Sequence, residues 1–230
     1  MVSVCMAVKN GELFVAEQIQ SILIQLRADD ELIISDDSSS DRTCAIIRSY
    51  SDKRIQLVTN PSSGLVSNFE NALRHARGDY VFLSDQDDVW HPRKIDRMKR
   101  YLDQYGLVVC DCEVKGIEGL PASYFALLRS GKGLLKNLIK NSYMGCCMAF
   151  TRSLLQKALP FPKDLGMHDQ WIGLVAEVHS NVLFLEESLV QHRRHGSNAS
   201  TTFGTSSYTL SEKFKMRFYL VKNLMRLAYA

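Results

Sequence analysis

Three aspartates, Asp85, Asp87 and Asp88, crowd into four consecutive positions with only Gln86 among them. Carboxylates held this close repel one another unless a proton or a cation intervenes, and a hard divalent ion is the natural guest. An oxygen-rich site of one or two carboxylates plus substrate phosphates suits Mg2+ or Mn2+. A second acidic pair, Asp36-Asp37, stands before Ser38-Ser39-Ser40. A carboxylate there could accept the N3–H of a pyrimidine base, a role that suits Asp37, or could organise the serine-rich turn, which suits Asp36. A third point, His168-Asp169, sets one carboxylate apart from the cluster, where it could take a proton from a hydroxyl. It could equally be an N-terminal helix acid favoured by the dipole. The fourth point is His192-Arg193-Arg194-His195, whose arginine forks could hold a diphosphate or form a solvated basic loop. His192 itself reads as a surface histidine. Trp90 reads as packing, and Trp171 as packing or as a platform for a sugar.

The elements that must position these residues follow from periodicity. Tyr80 to Leu83 is an apolar run after Gly78, the pattern of a strand covered on both faces. His91-Pro92 breaks the run, and Ile95, Met98 and Leu102 recur at helical spacing, so Asp85, Asp87 and Asp88 occupy a strand-to-helix loop. Open α/β sheets place their ligands there. Upstream, Val2–Val8, Glu31–Ser35 and Ile55–Thr59 read as strands, and 14–26, 41–49 and 65–77 as helices. Any of Ser38, Ser39 or Ser40 could cap the second helix, and Gly78 is expected to close the third in the left-handed conformation. Four strands alternating with three helices predict a mostly parallel, Rossmann-like sheet with right-handed crossovers.

Downstream the pattern loosens. Strands are expected over 107–114, 146–150, 181–185 and 189–191. Helices are expected over 134–139, from a Thr151 cap to about Ala158, from His168 onward, and from a Ser211 cap to the end. This divides the chain into a domain over 1–208, with a nucleotide-binding half (1–110) and a second half (111–208), and an amphipathic helix over 209–230.

At 230 residues, with 46% hydrophobic and 23% charged residues, the composition is that of an ordinary globular protein. A net charge of +3 gives no argument for a nucleic-acid partner. The six cysteines form no C-x-x-C pair and no disulfide spacing, which fits a reducing cytosol. The chain opens directly into a strand with no charged leader, and no apolar run approaches the roughly twenty residues of a membrane span. The tail interleaves Lys213, Lys215, Arg217, Lys222 and Arg226 with Phe214, Phe218, Leu220, Val221, Leu224 and Leu227. Such a helix could lie on an anionic membrane from the cytoplasmic side or pack against the domain.

Six motifs, taken in order, carry a family resemblance: Lys9-Asn10-Gly11, the run from Ile34 to Asp41, Gly78-Asp79-Tyr80, the run from Ser84 to Trp90, His168-Asp169-Gln170-Trp171, and the run from Arg194 to Asn198. In this order the chain resembles the inverting family-2 glycosyltransferases of the GT-A fold, in particular the rhamnosyltransferase-like enzymes of bacterial polysaccharide synthesis. The resemblance implies a UDP- or dTDP-sugar donor, a bridging Mn2+ or Mg2+ and a saccharide acceptor that is often lipid-linked. By position, Asp37 matches the carboxylate on the pyrimidine ring, and Asp85 the residue near the ribose or sugar hydroxyls. Asp87 matches the metal ligand of the DxD motif, and Asp169 the base that deprotonates the acceptor. His195 matches a C-terminal ligand to the metal or diphosphate. One departure is local: the family has Thr-Tyr or Ser-Tyr before Asn-Gly, and Val8-Lys9 stands here, so Lys9 could reach phosphate or solvent. A haloacid-dehalogenase-type phosphatase matches Asp85-x-Asp87 but puts its motif on the first strand. A non-catalytic nucleotide-binding module leaves His168-Asp169 without a task.

Overall fold

Strand β1 (Val2–Val8) is buried at all seven positions, which is why its sequence is apolar almost throughout. A computed structural model describes residues 1–115, 123–194 and 209–228 of the chain. On one side of β1 lie β2 (Glu31–Asp36) and then β3 (Ile55–Thr59), and on the other β4 (Tyr80–Asp85), all parallel. The connections are α1 (Val15–Leu23), α2 (Thr43–Arg48) and α3 (Leu65–His75), so the expected strand–helix alternation holds.

The later half extends the same sheet. After β5 (Val89–Trp90) and α4 (Lys94–Leu102) come β6 (Leu107–Lys115), α5 (Tyr124–Leu128) and α6 (Leu134–Ile139). A 3-10 turn over Gly145–Cys147 leads into β7 (Met148–Thr151), α7 (Arg152–Ala158), α8 (His168–His179), β8 (Val182–Arg193) and α9 (Leu210–Ala228). The eight strands run in the order β3-β2-β1-β4-β7-β6-β8-β5. β7 is antiparallel to both β4 and β6, and β5 to β8; every other pair is parallel. The core lies along both faces of the central strands, where Val4, Met6, Ile33, Leu83, Val108 and Phe150 are fully buried.

Several local expectations need correcting. Gly78 is not a left-handed helix cap: α3 ends at His75 and Ala76 is already extended, at φ −64° and ψ 133°. Gly78 is small because the chain passes β1 there. A Cβ would sit 2.6 Å from Ser3 N, and the Gly78 N–H donates to Ser3 Oγ at 2.7 Å. No serine caps α2; the Asp41 carboxylate accepts the Thr43 N–H at 2.9 Å. The strand expected from Cys146 begins only at Met148, because Gly145–Cys147 coils into the 3-10 turn. The two strands expected over 181–191 are one, β8, whose register against β6 slips around Asp111. Thr209, not Ser211, caps α9, accepting the Glu212 N–H at 3.3 Å while the Glu212 carboxylate takes the Thr209 N–H at 2.7 Å. That is a reciprocal capping box. Thr151 caps α7 as expected, accepting from Leu154 N.

Candidate active site

Strand register decides which residues share an edge. Val8 pairs with Asp36 and Ala7 with Asp85, and hydrogen-bonded strands lie ~4.8 Å apart. The carboxyl ends of β2, β1 and β4 therefore deliver Asp36-Asp37, Lys9 and Asp85 to one rim. Gln86 ties the rim together: its Oε1 accepts Lys9 N–H at 2.9 Å and its Nε2 donates to Lys9 O at 3.0 Å. Gly11 permits this clamp, since a Cβ there would stand 2.3 Å from Gln86 Oε1.

Asp36 positions its loop, as expected, accepting the Ser39 N–H at 3.1 Å. Asp37 is buried and already well supplied with donors. Its Oδ2 accepts from Lys9 Nζ at 2.9 Å and from Gly64 N at 3.2 Å, and its Oδ1 from Asn60 Nδ2 at 3.1 Å. Burial pushes this carboxyl up, but the bonds from Lys9, Gly64 and Asn60 outweigh it and hold it below the usual carboxylate range. Gly64 reaches Asp37 from a φ of 103°, a left-handed conformation natural to glycine. Lys9, its side chain largely exposed, thus pairs with Asp37.

The acidic loop is braced by β8, which returns antiparallel to β5 with Val89 opposite Gln191 and Trp90 opposite Val190. That pairing brings His192 onto Asp88, Nδ1 to Oδ1 at 2.8 Å, with Asp88 fully buried and His192 nearly so. His192 is therefore not a surface residue. Burial would push its imidazole down, but the Asp88 bond and the charges of Asp88, Asp85 and Asp87 leave it above its ordinary value. Arg193 is neither a free diphosphate fork nor a solvated cation: Nε donates to Asp87 O at 2.6 Å and a terminal nitrogen to Glu17 Oε2. Its guanidinium also lies 5.2 Å from the Phe14 ring centroid. Arg194 follows at the strand end, its N–H on Lys115 O at 3.0 Å. His195 lies outside the described residues.

Electrostatics mark this loop as short of positive charge. Asp85 is raised well above the carboxylate range, first by burial and then by Asp88 and Asp87. Asp88 Oδ2 and His192 Nε2 are buried without a hydrogen-bond partner. A divalent cation would relieve the crowding at Asp85 and the orphaned Asp88 oxygen, so the carboxylates of this loop fit Mg2+ or Mn2+. Among the described residues, Asp88, Cys146 and His192 offer ligand atoms within 4.8 Å of one another. Their His192–Asp88 contact is already a hydrogen bond, and a thiol is a poor ligand for these hard ions.

Asp169 stands in the first turn of α8, as expected, and is 6% exposed. Burial pushes its carboxyl up to about 6, against hydrogen bonds from Gln170 N, Asn141 Nδ2 and Gly145 N. Gly145 opens the 3-10 turn whose next residue, Cys146, lies against Asp88 and His192. The charge of Asp169 also acts on Asp85. One short turn therefore joins the carboxylate of α8 to the acidic loop. His168 is buried against Phe69, ring centroids 3.9 Å apart, and burial pushes its imidazole down to about 3. Trp171 is packing rather than platform: it is 1% exposed and its indole N–H donates to Ala158 O at 2.9 Å. Trp90 is core, as expected, at 2%.

Residues 3–159 match the sequence model of glycosyl transferase family 2, more than half of the chain. The chain belongs to glycosyl transferase family 2. Its GT-A fold is shared with a solved structure of Staphylococcus aureus TarS 1–349 in complex with UDP-GlcNAc, at TM-score 0.75 and 17% identity over 98% of this chain and 66% of that one. It is also shared with glucosyl-3-phosphoglycerate synthase from Mycobacterium tuberculosis in complex with Mn2+, UDP and phosphoglyceric acid, at TM-score 0.62 and 20% identity, covering 99% and 78%. Among curated relatives, the Escherichia coli UDP-Glc:alpha-D-GlcNAc-diphosphoundecaprenol beta-1,3-glucosyltransferase WfgD is 28% identical over 165 residues, 70% of this chain and 64% of that protein. The chain spans about half to two thirds of the length of the first curated relatives it matches.

The roles of two residues of this family-2 domain escape sequence reasoning. Lys94 is fully buried, its Nζ 2.5 Å from Cys146 O and 3.7 Å from the Trp90 ring centroid. It fastens the 3-10 turn from beneath. A lysine in a helix of high charge gives no hint of that. His192 is hidden by sequence distance, since it meets Asp88 across |i−j| = 104. Its alternation with the apolar Val190 on a short strand was the one available signal.

Proposed function

We propose that this family-2 domain transfers a sugar, with inversion, from a UDP-sugar to a hydroxyl of a saccharide acceptor carried on a lipid, in the assembly of a bacterial surface polysaccharide. A dTDP-sugar is the second candidate donor. The observation that carries the reading is Asp169: a buried carboxylate near-matched to neutral pH, joined through one short turn to an acidic loop whose crowded carboxylates lack a counter-charge. Brønsted behaviour favours a base whose pKa lies near the working pH.

In this reading the acceptor oxygen attacks the anomeric carbon from the face opposite the diphosphate. A new C–O bond forms as the bond to the diphosphate oxygen breaks, the pair leaving with the nucleoside diphosphate. Asp169 takes the acceptor's proton. Asp85 contacts ribose or sugar hydroxyls, and Asp37 offers its remaining lone-pair capacity to the base N3–H. Asp87 would hold Mn2+ or Mg2+, which when bound supplies Lewis-acid stabilisation of the leaving diphosphate. Arg194 is assigned to the diphosphate, and His195, outside the described residues, to the metal or diphosphate. The UDP and Mn2+ in the structural neighbours and the diphosphoundecaprenol acceptor named for WfgD support this choice of partners. Six unbridged cysteines suit the cytosol.

The test separates binding from chemistry. Asp169→Asn should keep thermal stabilisation by UDP in the presence of Mn2+ and lose sugar transfer by about 10²-fold or more. Unchanged turnover in that variant would remove Asp169 as the base, and UDP without any stabilising effect on the wild type would remove the donor.

A further inference from the structure

Helix α9 has two apolar faces, and the domain uses one of them. Leu220 and Leu224 are buried at 6% each, with Tyr219 donating to Lys163 O and Arg217 to Leu138 O and Ile139 O. On the other side Phe214, Phe218, Val221 and Met225 recur at spacings of four, three and four, which stacks them in one stripe. They are exposed at 72%, 64%, 37% and 54%. The neighbouring α6 adds Leu135 at 75% and Ile139 at 68%, its end held to α9 by Arg217. A helix packed only on its own domain has no need of this second stripe, and an apolar patch of this make-up marks a contact surface.

The charges name the contact. Exposed Lys132, Lys136 and Lys140 surround the α6 pair, and exposed Lys215, Lys222 and Arg226 flank the α9 stripe. Glu212, in the first turn, is the single acid in either helix. A protein partner here would need acidic residues to meet this rim, whereas apolar side chains rimmed by basic ones suit the headgroup region of an anionic bilayer. Among the described residues no helix is long and apolar enough to cross a membrane, so the contact is with the surface. The position matters too. The buried side of α9 closes a small cavity with Met167 and Gln170, the residues flanking His168-Asp169, and Gln170 Nε2 donates to Asn137 O of α6 at 2.8 Å.

We propose that α6 and α9 together form a docking surface for anionic phospholipid, holding the Asp169 side of the domain at the bilayer where a lipid-linked acceptor would be presented. The acceptor clause rests on the reading of Asp169 as the base. Vesicle binding does not, so the two can fail separately.

Co-sedimentation of the intact chain with phosphatidylcholine vesicles, with and without phosphatidylglycerol, tests it. Binding should require phosphatidylglycerol and fall as salt rises. Lys222→Gln should lower partitioning about fivefold. Phe218→Glu and Met225→Glu should abolish it while leaving the melting temperature and the UDP-dependent thermal shift unchanged, which excludes misfolding as the cause. Equal binding to both vesicle types, or none to either, overturns the proposal. So does a dimer in light scattering that Phe218→Glu dissolves without any vesicle binding by the wild type, because a second copy would then cover the stripe.

Discussion

At Asp169 burial raises the carboxyl to about 6 although four hydrogen bonds pull it down. The proton-accepting form is therefore lost as pH falls through about 6, and log kcat/KM should drop with unit slope below that point. The same shift has a stability sign. A folded-state pKa above the ordinary aspartate value of 3.8 means the native state binds the proton more tightly, so ionisation destabilises the fold as pH rises between the two values. Asp169→Asn removes that cost, and calorimetry at neutral pH should find the variant more stable by about 1–3 kcal/mol. A flat pH profile with an unchanged melting temperature would contradict both. Lys9 offers a second residue-level test. Its side chain is 56% exposed and its ammonium pairs with Asp37 Oδ2, part of the carboxylate assigned to the pyrimidine. Lys9→Ala should leave that oxygen to the Gly64 N–H alone and lower the UDP dissociation constant by up to about fivefold, the worth of a pair of this exposure. Calorimetric titration that finds no change would show that Lys9 and the base do not compete.

Among the elements, the 3-10 turn over Gly145–Cys147 is the hinge of the site, since it offers Gly145 N to Asp169 and Cys146 to the Asp88–His192 pair. Lys94 holds that turn through Cys146 O. Lys94→Met keeps the stem but strands a buried carbonyl, so urea unfolding should show a loss of about 1–3 kcal/mol. Turnover should fall further than stability explains, because the turn that positions Asp169 loosens. A variant as stable and as active as the wild type would show that the turn holds itself. None of this was readable from the sequence. The apolar runs of β1, β2 and β4 and the helical spacing in α3 are local signals, and they predicted those elements to within a few residues. The 3-10 turn, the two-residue β5 and the unbroken β8 are set by partners far along the chain. The sequence around Cys146 says strand until the buried Lys94 and the α8 terminus are placed beneath it.

Across the whole molecule, one continuous sheet does the positioning. Parallel strands β2, β1 and β4 bring the acidic residues of the first half to one rim. Antiparallel β7, together with β8, folds the second half back over it, so His192 and Asp169 arrive from more than a hundred and about eighty residues beyond Asp88. The acidic loop and the separate carboxylate were legible as residue types. Their convergence was not, because register and crossover decide it. The most direct measurement of the central claim is a crystal structure with UDP-sugar and Mn2+, read from the manganese anomalous signal. The account predicts a single peak at Asp87 on the diphosphate, with the anomeric carbon between it and the Asp169 carboxylate. A peak elsewhere, or a sugar lying on the far side of the acidic loop from Asp169, would contradict it.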